Sequence, residues 1–157
     1  MNIFVLDQDP VKAAQYLCDS HVVKMALESA QILCTVSWEC DVSAPYKATH
    51  RKHPVVIWAC KTLSNYNWLL EHAFAICSEY RFRYRGRFHA SQNVVEWCSE
   101  LGGRPETEGL TPFAQAMPLE YKRDNAVEAY RYYYLGEKKR FAKWSTRGIP
   151  DWWVNES

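Results

Sequence analysis

His21, Lys24 and Glu28 stand three and four residues apart, the spacing that stacks side chains along one helix face over two turns. An imidazole, an amine and a carboxylate on one wall can move protons or form an imine. The same spacing also fits a solvated face that carries a Lys24–Glu28 pair beside a partly buried histidine. Cys18-x-x-His21 and His50-x-x-His53 hold four possible zinc ligands. The first pair falls in mid-helix and the second straddles a helix start, so neither reads as a zinc knuckle and no metal is expected. No glycine-rich phosphate loop or dinucleotide fingerprint is present, and no cysteine sits in an evident electropositive setting.

The element that must position this face is a helix predicted from Asp9 to Val36. Asp9 is a suitable N-cap, and Pro10 at the first helical position gives up no hydrogen bond. Val11, Ala14, Cys18, Met25, Ile32 and Val36 form a second, core-facing stripe. Ahead of it, Met1 to Leu6 is a short apolar run, too short for a sheet and expected to tuck against the helices. That would carry the N-terminal amine into the fold or to a cleft, an unusual place for a terminus. Residues 37–52 read as a connection, and His53-Pro54 opens a second long helix to about Tyr84. A third helix runs from Ser91 to Leu101, ended by Gly102-Gly103. A fourth runs from Pro118 to Leu135 and continues or restarts toward Trp144.

The chain has 157 residues, 48% hydrophobic and 15% aromatic, with net charge +1. That suits one all-α domain over residues 1–157: a compact bundle of about four to five helices with the N-terminal segment held against them. Six cysteines scattered over apolar faces, with no apolar run near 20 residues, suggest buried free thiols in a cytoplasmic protein away from membranes. The charge is uneven. Residues 1–50 hold three lysines against six acids, while residues 121–147 hold eight basic residues against three acids. The basic end could meet phosphates, although the overall balance is weak for a nucleic-acid binder.

Two stretches interleave basic and aromatic residues. Tyr80 to Phe88 alternates them and includes Arg81 and Arg83. Tyr130 to Trp144 includes Arg131, Lys138, Lys139 and Arg140. Such stretches suit a phosphate backbone and stacked bases, and equally an Arg-rich helix end that complements the helix dipole. Gln115, between Pro112 and Pro118, could read a base edge; a surface glutamine is the commoner case.

Asp19-Ser20-His21 followed by Glu28 resembles the Asp-x-His-(x)6-Glu pattern of phage pyrimidine-dimer DNA glycosylases with AP-lyase activity, the endonuclease V type of T-even phages. The short apolar N-terminus, the helix from His53 to Gly86 and the aromatic-basic stretch from Tyr130 to Trp144 are similar too, so the likeness covers most of the chain thinly. The resemblance implies a compact helical DNA-repair enzyme with no cofactor, acting on DNA in the host-cell cytoplasm. It also implies an N-terminal amine as nucleophile and a carboxylate at Glu28. An α-amine is suited to attack a sugar carbon, because its ordinary pKa of about 8 lies well below the roughly 10.4 of lysine. Two positions differ from the family. Asn2 follows Met1 where the family exposes a threonine by methionine removal, and a second residue this large leaves Met1 in place. Leu27 and Ser29 flank Glu28 where the family carries arginines.

The expected site therefore has Met1 as nucleophile, Glu28 as carboxylate, His21 in the pocket and Lys24 as the fallback amine. His53, Arg81, Arg83, Gln115, Arg131, Lys138, Lys139 and Arg140 are the expected DNA contacts. The substrate class is damaged or modified pyrimidines, and a monomer is slightly favoured. Two rivals stay open: a non-catalytic nucleic-acid or nucleotide-binding protein of the same fold, and a protein-interaction module.

Overall fold

Residues 1–6 form no regular secondary structure and thread the interior, walled in by helices. The computed structural model describes residues 1–155, with helices α1 (Pro10–Tyr16), α2 (Asp19–Glu39), α3 (Pro54–Lys61), α4 (Leu63–Arg83), α5 (Gln92–Leu101), α6 (Ala126–Glu137) and α7 (Asp151–Asn155). A short 3-10 turn spans Leu119–Tyr121. No strand occurs among the described residues. The fold is all-α, as expected, with seven α-helices instead of four or five. α4 is central: it packs on α1, α2, α3 and α5, while α2 packs on α3, α4 and α5.

Two of the extra helices come from breaks, and the short α7 in the C-terminal stretch adds another. The predicted Asp9–Val36 helix stops at Tyr16, and Leu17 and Cys18 turn extended before α2 begins. The backbone groups freed there find distant partners. Cys18 N–H donates to the Tyr134 hydroxyl and Asp19 N–H to the Lys143 carbonyl, while Arg83 donates to the carbonyls of Gln15 and Leu17. The second predicted helix breaks at Thr62, whose hydroxyl accepts the Asn65 N–H at 3.0 Å and caps α4. Asn65 bridges from there to the Trp58 carbonyl and to Thr111, tying the 103–118 connection to the α3–α4 corner.

The N-terminal segment is fastened by side chains from across the chain. Ile3, Phe4, Val5 and Leu6 are buried, and each such side chain stabilises the fold by about 1.5–3 kcal/mol relative to exposure. That outweighs the roughly 1–2 kcal/mol per residue of backbone entropy which makes most termini fray. Asn2 donates to the Ala116 carbonyl and accepts the N–H groups of Ile3 and Phe4. His72 lies against the carbonyls of Ile3 and Pro10, and Arg131 donates to the Leu6 carbonyl at 2.9 Å. Phe4 adopts φ 44°, a left-handed conformation that bulky residues rarely take. The bend lays its ring flat on His21, with centroids 4.5 Å apart.

The six cysteines are free thiols, and Cys18, Cys34, Cys77 and Cys98 are buried. No described helix is long and apolar enough to cross a membrane.

Candidate active-site cleft

A cleft of about 410 Å³ opens where α2, the N-terminal segment, the start of α3 and the 115–122 loop meet. α2 contributes His21, Lys24, Met25 and Glu28, the face read from the sequence. The Met1 nitrogen lies 3.6 Å from Glu28 Oε1. The Met1 side chain is only 2% exposed although the residue as a whole is half-buried, so its accessible part is the backbone end that carries the amine. The second carboxylate oxygen, Glu28 Oε2, is buried without a hydrogen-bond partner among the described residues. An unpartnered carboxylate oxygen is costly in a folded protein and needs an explanation, of which a substrate group is one.

Two histidines flank this pair. His53 caps α3, its Nδ1 accepting the Val55 N–H at 3.2 Å, which leaves the ring proton on Nε2. Its pKa is lowered, first by burial and then by the neighbouring N-terminal amine and His50, with Glu28 opposing. His21 is more deeply set. The Tyr134 hydroxyl accepts the Cys18 N–H and lies within hydrogen-bond distance of His21 Nδ1, 2.5 Å away. Burial, then Lys138 and Lys24, push the His21 pKa down to about 3. Both rings are therefore held as neutral imidazoles.

His72, beneath the N-terminal segment, shares this state. Burial pushes its pKa down to about 4, outweighing two backbone carbonyls that favour the protonated ring. An unfolded histidine titrates near 6.5 and so takes up a proton before either buried ring does. The stability these two rings contribute is complete above pH 6.5 and is lost as pH falls through 6.5 toward 4 and 3. At pH 5 the loss is about 2 kcal/mol per histidine. Urea unfolding at pH 7 and pH 5 measures it, and His72→Gln should remove about half of the pH dependence.

The cleft is strongly basic. Lys24, Lys122 and Lys138 line it together with the amine, and Glu28 is its one lining acid. Lys138 Nζ sits over the rings of Tyr133 and Phe4 at 4.7 and 5.7 Å. A low net charge thus conceals a local concentration of positive potential, which is what attracts phosphates.

The structure brings Met1, His21, Lys24, Glu28, His53, Gln115 and Lys138 to this one cleft. It places the other expected residues elsewhere. Arg83 is a correction: its side chain is 1% exposed, and it pairs with Glu79 and Asp19 instead of facing a phosphate. The reason is helical phase, since α4 continues to Arg83 and puts it one turn after Glu79 on the inner face. Gln115 is used differently from the base reading expected of it. Its amide donates to the Arg123 carbonyl and accepts the Arg123 N–H, which closes the 115–123 loop. Arg131 also turns inward, onto Leu6 and Asp7. Arg81 is exposed and lies over Phe88, away from the cleft lining. Lys139 and Arg140 are exposed just past the lining. The possible zinc ligands do not converge: among the described residues no three His, Cys, Asp or Glu gather at one point. Sequence reading missed Lys122, Tyr133 and Met117. Met117 and Lys122 come from a turn whose local pattern carries no sign of a site, whereas Tyr133 lies in the basic-aromatic stretch without being singled out there.

A helical fold that buries its own N-terminal segment and sets a backbone amine against a carboxylate in a basic cleft has the build of a small nucleic-acid enzyme. The family described as pyrimidine dimer DNA glycosylase matches residues 1–91, and the chain belongs to that family. Membership implies DNA glycosylase activity and DNA as substrate. The matched region contains Met1, His21, Lys24, Glu28 and His53. No curated protein and no solved structure matches the chain.

Proposed function

We propose that the protein is a DNA glycosylase with AP-lyase activity on damaged or modified pyrimidines, with the Met1 amine as nucleophile and Glu28 as the essential carboxylate. The observation that carries this reading is the 3.6 Å approach of the Met1 nitrogen to a half-buried carboxylate in a lysine-rimmed cleft. The amine nitrogen bonds to C1′ of the target sugar as the bond from C1′ to the pyrimidine breaks, and the base leaves with the bonding pair. Glu28 stabilises the positive charge that develops on the sugar. Deprotonation of nitrogen and opening of the ring at O4′ then give an imine. Loss of a C2′ proton expels the 3′ phosphate, and water releases the amine. Glu28 is placed to take and return the protons of these steps. The target nucleotide must leave the stack to reach C1′, and Lys24, Lys122 and Lys138 would hold its phosphates.

Borohydride trapping tests this reading. The tagless protein is incubated with labelled duplexes that are intact, abasic or UV-irradiated. A reduced covalent adduct is expected on the irradiated duplex, and acetylating the N-terminus should abolish it. An adduct that survives acetylation would move the nucleophile to Lys24. Salt-dependent DNA binding with no adduct on any duplex would favour a binding protein of the same fold.

A further inference from the structure

Asn2 adjoins the residue that carries the amine, and its side chain is a buried polar group with three directed contacts. Its Oδ1 accepts the N–H groups of Ile3 and Phe4 at 2.7 and 3.1 Å, and its Nδ2 donates to the Ala116 carbonyl at 2.8 Å. Two donors on one side and an acceptor on the other leave the amide only one way round. The bond to Phe4 closes a tight asparagine turn over residues 2–4, which supports the left-handed φ of 44° at Phe4. The bond to Ala116 crosses to a distant part of the chain. Asn2 and Ala116 both line the cleft.

The acceptor is itself held. Ala116 N–H donates to the Tyr130 hydroxyl at 3.1 Å, and that hydroxyl donates to the Ala114 carbonyl at 2.6 Å. Tyr130 is fully buried in α6. Gln115 closes the same loop on Arg123 through both amide atoms, and Lys122 of that loop lines the cleft. On the other side of the amine, the Met1 side chain is 2% exposed. The α-nitrogen therefore stands between two anchors one peptide unit apart, the Met1 side chain and the Asn2 amide. We infer that Asn2 is a positioning residue: it holds the Met1 amine at Glu28 and in register with the wall that carries Lys122, so that nucleophile and phosphate contact move as one body. This rests on the glycosylase reading above. Asn2 acts through the backbone of Met1, and placement of this kind matters to rate because a misplacement of about 1 Å can cost about 10²-fold.

The test compares the parent with Asn2→Leu, Asn2→Asp and Val95→Ala, each assayed below its melting transition and each checked by intact mass for Met1. Asn2→Leu removes all three bonds; Asn2→Asp keeps the two at Oδ1 and lacks the donor. Val95 is buried in α5 away from the cleft lining, so its truncation lowers stability without touching the site. The first readout needs no DNA. A carbodiimide joins a carboxylate and an amine in contact as an amide, with loss of water, and peptide mapping locates the bond. The parent and Val95→Ala should yield the Met1–Glu28 amide, and Asn2→Leu should lower the yield by about tenfold or more. The second readout is single-turnover borohydride trapping on the irradiated duplex. Asn2→Leu should lower the rate at saturating DNA by about tenfold to a hundredfold. The half-saturating concentration should stay within about threefold, because the cleft lysines are intact. Asn2→Asp should trap at a rate between the two. Parental trapping by Asn2→Leu, or an equal loss in Val95→Ala, would overturn the inference. A parent that cross-links Met1 to Glu28 yet traps no DNA would remove the glycosylase reading and leave the hold of Asn2 on the amine standing.

Discussion

Replacing Glu28 by Gln is expected to abolish covalent trapping and lower single-turnover base excision by about 10²–10⁴-fold, the range for a positioned acid–base group. The amide keeps the shape of the side chain and removes what the chemistry uses. Glu28 Oε1 faces the Met1 nitrogen at 3.6 Å, and Oε2 is buried without a partner among the described residues. In the apo fold that oxygen is costly; with a cationic sugar beside it, the same charge lowers the barrier. The substitution should therefore leave DNA affinity within a few-fold, because the lysines that would meet phosphates are intact, and leave stability unchanged or slightly higher. A rate within threefold of the parent would take Glu28 out of the chemistry. A loss of affinity matching the loss of rate would make it a binding residue instead.

Replacing Arg83 by Met should cost about 3–5 kcal/mol of stability, the usual result of removing one partner from a buried ionic network. Arg83 donates through Nε to Glu79, through Nη1 to the Leu17 carbonyl and Asp19, and through Nη2 to the Gln15 carbonyl. Those carbonyls belong to the break between α1 and α2, so the substitution also leaves buried backbone groups unpaired. Arg147 would still hold Glu79. Lysine should rescue little, since one ammonium cannot reproduce four directed contacts. Thermal melting would show the effect as a drop of roughly 6–20 °C. A drop below about 3 °C, with DNA binding weakened instead, would return Arg83 to the phosphate-contact role read from its sequence neighbourhood.

The contrast between Glu28 and Arg83 shows which parts of this molecule are legible before folding. The α2 face was readable because His21, Lys24 and Glu28 lie in one helix, where spacing alone sets direction. The all-helical class and the buried N-terminal run were readable from apolar periodicity for the same reason. The apolar run indicated only that the amine would lie in the fold or at a cleft; its role as nucleophile entered through resemblance. The break at Leu17–Cys18 was not readable. It carries no Gly or Pro, and its backbone groups are satisfied by Arg83, Tyr134 and Lys143, all more than 60 positions away. Gln115 looked available because glutamines usually are exposed, and its partner Arg123 is named by loop geometry alone. Arginines in an alternating basic-aromatic run look alike on paper. The phase of α4 decides which of them turn inward.

The fastening of residues 1–6 has a consequence for how the molecule comes off the ribosome. The partners that hold this segment include Ala116 and Arg131, with Tyr134 packed edge-on against Phe4. At about 5–20 residues per second, translation reaches them roughly 6–30 seconds after the first residues emerge. The segment made first is therefore among the last to lock. Throughout that interval the Met1 end stays open to the enzymes that process nascent chains, and the cleft does not yet exist. On the proposed mechanism the amine would thus be withheld from work until nearly the whole polypeptide is present, and an unfinished chain would carry no assembled site to bring to DNA.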